Sequence, residues 1–269
     1  MTLRIIGAIT FISLISASLV AALSVGPAGF FSGINTLICL SVFLICEGIL
    51  ALAVFERRVP IFGPVFWKGK TGGDRVALTF DDGPNEPFTS QILDILKEHR
   101  VQATFFVIGS NCEKFPGVLE RLARDGHEIG NHTWTHQVMP LKSPSRIEEE
   151  IKRTSDIIEK LTGARPRLFR SPHGWRNPWT NAVARKSGCI PVAWTLGVWD
   201  TDRPGSEVIA SRTLKSVRDG SIILLHDGRG IEDAADSSQL IEALPVIIDG
   251  IHRRGFRMVA LSRMMETAL

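Results

Sequence analysis

Two adjacent carboxylates, Asp81-Asp82, and two histidines four positions apart in His132-Thr133-Trp134-Thr135-His136 are the residues of this chain best suited to chemistry. On a helical turn, imidazoles at i and i+4 stand about 5–6 Å apart on one face and can share a metal ion. Asp82 would complete a set of two histidines and one carboxylate that leaves positions open for water and substrate. Zinc is the default ion for hydrolysis with that set, and iron, cobalt and nickel also suit it. Asp81 cannot be a second equivalent ligand without like-charge strain. It is better cast as the base that takes a proton from the attacking water, with Arg170 pairing to hold it ionised and oriented. His226 follows the apolar run Ile222-Ile223-Leu224-Leu225. A protonated imidazole there can donate to a leaving amine, the step amide hydrolysis needs most. Asp227 or Asp200 is the candidate to tune it. His99, His127 and His252 fall in or just after helical patterns and read as surface or packing residues.

The elements that must position these groups are short β-prone runs separated by helical patterns. The strand candidates are 76–80, 103–108, 128–130, 167–169, 190–196, 221–225 and 257–261. Between them apolar residues recur at three- and four-residue spacing, as in Ile147, Ile151, Ile157, Ile158 and Leu161. Seven β-then-α units imply a parallel sheet in a closed or nearly closed barrel, with a doubly wound open sheet as the alternative. Every polar residue singled out lies just past the end of a strand candidate: Asp81 and Asp82 after the first, His132 and His136 after the third, Arg170 after the fourth. Asp200 and His226-Asp227 follow the fifth and sixth. In a parallel barrel those ends share the face where catalysis occurs.

Four motifs carry a family resemblance: Thr79-Phe80-Asp81-Asp82-Gly83-Pro84, His132-Thr133-Trp134-Thr135-His136, Arg170-Ser171-Pro172-His173-Gly174 and Leu224-Leu225-His226-Asp227. In order and spacing they resemble the polysaccharide deacetylase family, also called the NodB-homology or carbohydrate esterase 4 family. The resemblance spans residues 75 to 262. It implies a distorted (β/α)7 barrel and removal of acetyl groups from N-acetylated sugars. It further implies Asp81 as base, Asp82, His132 and His136 as ligands of a divalent ion, and His226 as acid. Position 173 would donate its backbone N–H to the oxyanion, although His173 stands where the family usually has an aromatic residue. A second departure is Gly197, at a position where the family has Asp, while Asp200 matches the next. Loss of a ligand, base or acid would mark a silent carbohydrate-binding module instead, and all are present.

Charge divides the chain in two. Of its 59 charged residues only Arg4 and Glu47 lie in residues 1–55. Two apolar runs, 5–25 and 34–55, are each long enough to span a bilayer, since a helix rises about 1.5 Å per residue. The expected organisation is a membrane anchor over 1–58, a linker over 59–74 and a deacetylase domain over 75–265. Arg4 precedes the first run, and Arg57, Arg58, Lys68 and Lys70 follow the second. Two spans and the positive-inside rule then turn the domain to the cytoplasmic side of the plasma (inner) membrane; if one run fails to span, it faces outward. The inward placement favours a polyprenyl-phosphate-linked amino sugar over an outer polymer, and membrane lipid is a further expected partner. Glu47, a carboxylate inside the second run, stays outside the site. No Lys/Arg run marks a nucleic-acid-binding face. Cys39, Cys46, Cys112 and Cys189 form no CxxC or Cys/His cluster, so they read as packed or free thiols.

Overall fold

A computed structural model describes residues 33–232 and 235–266 of the chain, in two compact units, Met1–Glu56 and Arg57–Leu269. The described part of the first is helix α1, Gly33–Phe55. Its segment Ile38–Phe55 is long and apolar enough to cross a membrane by length and composition, and Leu44, Ile45, Ile49 and Leu52 are exposed along it. The other expected span, 5–25, lies outside the described residues.

The second unit is an α/β domain. Its strands are β1 (Arg75–Asp81), β2 (Thr104–Val107), β3 (Glu128–Asn131), β4 (Leu168–Phe169), β5 (Ile190–Pro191), β6 (Leu196–Gly197), β7 (Ile222–His226) and β8 (Arg257–Met258). The helices are α2 (Phe88–Glu98), α3 (Gly109–Lys114), α4 (Pro116–Arg124), α5 (Pro144–Thr162), α6 (Thr180–Lys186), α7 (Ser206–Ser216), α8 (Ser238–Arg253) and α9 (Leu261–Glu266). The strands pair in parallel in the order β5-β4-β3-β2-β1-β7-β6, with β8 beside β1.

Period-two alternation sorts each strand into two faces. Val76, Leu78 and Phe80 of β1, Phe105 and Val107 of β2, and Ile223 and Leu225 of β7 join one buried cluster with Ile92, Leu96, Leu119 and Leu244 from the helices. Phe80 and Phe105 stack there with centroids 4.8 Å apart. Ala77, Phe106 and Ile222 face the other way, into a second cluster with Leu168 and Val192. Continuing that second face two steps from Ala77 along β1 and from Ile222 along β7 leads to Asp81 and His226. The alternation that builds the outer core thereby aims both at the concave side.

Two expected strands change on folding. The run 190–196 is not one strand but β5 and β6, which form the two edges of the sheet, so the barrel is a half-barrel and not a closed one. Pro191 has no N–H to continue a ladder. The chain then passes to the far edge, where the Thr195 N–H donates to the carbonyl of Ile222 at 3.0 Å. Beside the β5 edge lies Phe66, which pairs with Val192 as a single parallel bridge. The last expected strand is cut to Arg257–Met258 because α9 begins at Leu261.

Candidate active site

Register brings the first two groups together. Asp81 and His226 are Cα partners on β1 and β7, so their side chains leave adjacent strands on one face. Asn131 and Phe169 are partners on β3 and β4, and His132 and Arg170 each come one residue later.

Asp82, His132 and His136 converge, each offering a ligand atom within 4.8 Å of the others. Asp82 Oδ1 stands 3.3 Å from His132 Nε2 and 3.1 Å from His136 Nε2. The Nδ1 of His132 lies 2.8 Å from the carbonyl oxygen of Arg170. A carbonyl only accepts, so Nδ1 carries the proton and Nε2 turns a lone pair toward Asp82. Asp82 Oδ1 is buried and has no hydrogen-bond donor among the described residues. Lone pairs facing each other in a buried site fit a cation between them and little else. Burial opposes ionisation of Asp82, whereas positive charge on the neighbouring imidazoles, in their protonated form, would outweigh it and hold the carboxyl well below the usual range.

The motif carrying the histidines is not the helical turn expected from its spacing. It is an irregular loop with Thr133 and His136 at positive φ, and it sets the two rings 5.0 Å apart. Glu150 of α5 shapes that loop and was not anticipated. It is 1% exposed and accepts from the N–H groups of Trp134 and Thr135 at 2.9 and 2.8 Å. Its signal in the sequence is a carboxylate three residues after Ile147, on the apolar stripe of α5. Asn131 assists, its Oδ1 accepting from the Thr133 N–H at 2.8 Å.

Arg170 is fully buried. Its Nη1 donates to Asp81 Oδ1 at 2.6 Å and to Thr79 Oγ1 at 2.8 Å, and its Nη2 to the Ala193 carbonyl at 3.0 Å. The guanidinium lies 4.1 Å from the Phe106 ring centroid. Asp81 Oδ2 is left pointing toward His132, 3.8 Å from Nε2.

His226 pairs with Asp200 and not Asp227. Its Nδ1 lies 3.0 Å from Asp200 Oδ1, and its backbone N–H donates to Asp200 Oδ2 at 2.7 Å. Burial works against the imidazolium, but the charge and hydrogen bond of Asp200, with Asp82 and Asp81 beyond, push its pKa up to about 10. Asp227 is engaged behind the site. Thr89 Oγ1 donates to its Oδ2 at 2.6 Å, and Asn85 Nδ2 to its carbonyl at 2.9 Å. A Cβ on Gly83 would fall 2.0 Å from this carboxylate, so only glycine lets the 81–85 loop close over it. Burial raises the Asp227 pKa to about 7. His173 sits at positive φ with its ring 4.7 Å from those of His136 and Trp175. Burial and the neighbouring His136 lower its pKa to about 4, so it is neutral at physiological pH.

Comparison with known proteins agrees with this geometry. A family model for polysaccharide deacetylase matches residues 68–192. The chain is 37% identical over 214 residues to a chitooligosaccharide deacetylase of Bradyrhizobium sp. (strain ANU 289), covering 77% of this chain and 98% of that protein. It is 34% identical over 218 residues to a peptidoglycan-N-acetylglucosamine deacetylase of Bacillus cereus, covering 79% and 98%. Among solved structures, a peptidoglycan N-acetylglucosamine deacetylase in complex with 4-naphthalen-1-yl-N-oxidanyl-benzamide superposes with a TM-score of 0.71 at 34% identity, over 74% of this chain and 92% of that one. A CE4 family pseudoenzyme from Bacillus anthracis superposes with a TM-score of 0.70 at 25% identity, over 77% and 69%.

Proposed function

Since this chain belongs to the polysaccharide deacetylase family, and so is a hydrolase of that class, we propose that it removes an N-acyl group, by preference N-acetyl, from an amino sugar in a metal-dependent reaction. The observation that carries the reading is the meeting of a carboxylate–arginine pair and a histidine–carboxylate pair on adjacent strands beside the three-residue ligand set.

Asp82, His132 and His136 would hold the ion, with Zn²⁺ the first candidate and Co²⁺ or Ni²⁺ compatible. When bound, it supplies Lewis-acid polarisation of the amide and of water. Asp81, anchored through Oδ1 to Arg170, presents Oδ2 to accept the proton of the attacking water. His226, charged and oriented by Asp200, delivers a proton to the nitrogen as the C–N bond breaks. The N–H of His173 is the candidate donor to the developing oxyanion. Asp227 serves through the 81–85 loop, which its neighbours Thr89 and Asn85 tie down. The competing reading is a silent carbohydrate-binding module. A CE4 family pseudoenzyme is among the similar structures, but the full set of candidate ligands, base and acid here speaks against a silent role.

The role of His226 has a pH signature. Because its pKa is raised, the protonated form is present at neutral pH and is lost as pH rises through the folded value, taking the acid function with it. A divalent ion beside Asp81 and Asp82 cancels part of their pull, so the alkaline limb of kcat should fall somewhat below 10. Asp200→Asn removes the largest raising influence and should move that limb toward the ordinary histidine value of about 6.5. A limb that stays put in the variant would release Asp200 from its role.

We further propose a membrane anchor over 1–58 with two spans, a linker over 59–74 and the catalytic domain over 75–265, held at the cytoplasmic face of the plasma membrane. The basis is sequence charge: Arg57, Arg58, Lys68 and Lys70 follow the second apolar run, and no charge separates the two runs. That side presents polyprenyl-phosphate-linked amino sugars and not wall polymer. Alkaline phosphatase fused after residue 269 tests it, because that enzyme needs an oxidising compartment for its disulfides. The fusion should be inactive in intact cells; an active one would place the site outside and turn the substrate to polymer.

A further inference from the structure

Two positions past α1, the chain becomes part of the catalytic wall. The backbone of Phe66 donates to the Pro191 carbonyl at 3.0 Å and accepts from the Ala193 N–H at 2.9 Å. Asn181 Nδ2 donates to the carbonyls of Phe62 and Gly63 at 3.0 and 3.3 Å, and Arg185 to that of Pro64 at 2.6 Å. At the head of the segment, Arg57 sets its guanidinium 4.8 Å from the Trp194 ring centroid and donates from Nε to the Trp194 carbonyl at 2.6 Å. Arg176, only 2% exposed, fixes that head by donating to the carbonyls of Arg57 and Val59 at 3.4 and 3.2 Å.

Trp194 in turn touches the two parts of the site that must not drift. Its ring centroid is 5.6 Å from the Arg170 guanidinium, which holds Asp81. A Cβ on Gly174 would come within 2.7 Å of the indole, so the loop bearing His173 packs directly on it. The tryptophan lies in the stretch between β5 and β6, flanked by the Phe66–Val192 bridge on one side and the Thr195–Ile222 hydrogen bond on the other.

We infer that Arg57 is a positioning residue for catalysis. It pins Trp194 by a charge-assisted hydrogen bond and a cation–π contact, and through Trp194 it fixes Arg170 and the 172–174 loop. The inference rests on the assignment of Asp81 as base and goes beyond the family motifs, since Arg57 lies outside the matched residues 68–192. A shift of about 1 Å in groups aligned for reaction costs on the order of 10²-fold in rate.

The test uses the full-length, metal-loaded protein and an N-acetylglucosamine oligomer, with kcat expressed per bound metal ion. Arg57→Ala should lower kcat by roughly 10- to 100-fold with KM and metal content held within about twofold. Arg57→Lys, which keeps a charged donor over the ring, should recover most of the rate, and Arg58→Ala should leave it unchanged. If Arg57→Ala does not fold, Arg57→Gln, which keeps a donor but no charge, should show the same loss in reduced size. Wild-type kcat per loaded site in the Ala or Gln variant would overturn the inference, and so would a loss that merely follows falling metal content. Full activity in Asp81→Asn would instead remove the base assignment beneath it, so the two failures are separable.

Discussion

Replacing His132 or His136 with alanine is expected to cost the protein its bound metal and its turnover together. Each imidazole is one of the three proposed ligands, and the adjacent carboxylate, Asp81, is tied through Oδ1 to Arg170. Removing one ligand leaves the Asp82 carboxylate and a single imidazole, a site that holds a divalent ion far less well, whereas loss of even an outer partner commonly costs about 10- to 100-fold in affinity or activity. A strong chelator should abolish activity in the unaltered protein, and added Zn²⁺ or Co²⁺ should restore it. Elemental analysis before and after chelation reads the same quantity directly. Activity that persists in chelator, with no metal detected, would sink the proposed mechanism.

Asp81→Asn separates the base from the ligands. The amide oxygen can still accept from Arg170 Nη1, so the fold and the ion should stay, while the group that receives the proton is gone. General-base assistance is worth about 10²–10⁴-fold, and kcat should drop by that order with metal stoichiometry unchanged. Asp81→Ala is the harsher change. It strips the partner from a guanidinium that is wholly buried, and breaking a buried pair in that way costs roughly 3–5 kcal/mol. A melting temperature that falls further in the alanine variant than in the asparagine variant, which loses the charge but keeps the hydrogen bond, would divide the two roles of one side chain. An asparagine variant that binds no metal would move Asp81 into the ligand set.

Which side chains would converge was largely legible from residue type and position, and what supports them was not. Asp81, Asp82, His132, Arg170 and His226 stand out because each polar side chain ends an apolar run, and parallel pairing gathers such ends on one face. Spacing misled at the histidines: four residues fit a helical turn, but Glu150 accepts from two N–H groups of that segment and holds it as a loop. Asp200 and Asp227 were equal candidates beside His226, since sequence adjacency favours Asp227 and only the crossing after β6 delivers Asp200. The half-barrel opening was hidden because the run 190–196 is apolar but for Thr195, and its main sign of interruption is Pro191. Phe66 lay in a stretch that reads as linker and Arg57 at the end of the expected anchor, with no periodicity to give their partners away.

Asp82, His136 and His173 all hold backbone conformations that glycine would adopt more readily, at φ of 78°, 53° and 59°. A side chain in that region costs about 1 kcal/mol or more, so selection for folding alone would favour glycine at each of these positions. Only the chemistry opposes that drift. Were the catalytic demand lifted in some descendant of this chain, the proposed ligand and oxyanion positions would be where stabilising replacements collect first, because a single change there would relax the backbone as it disarms the site. A glycine at the position of Asp82, His136 or His173 in a related genome would then be a legible mark of an enzyme in retirement, written in stability rather than in activity.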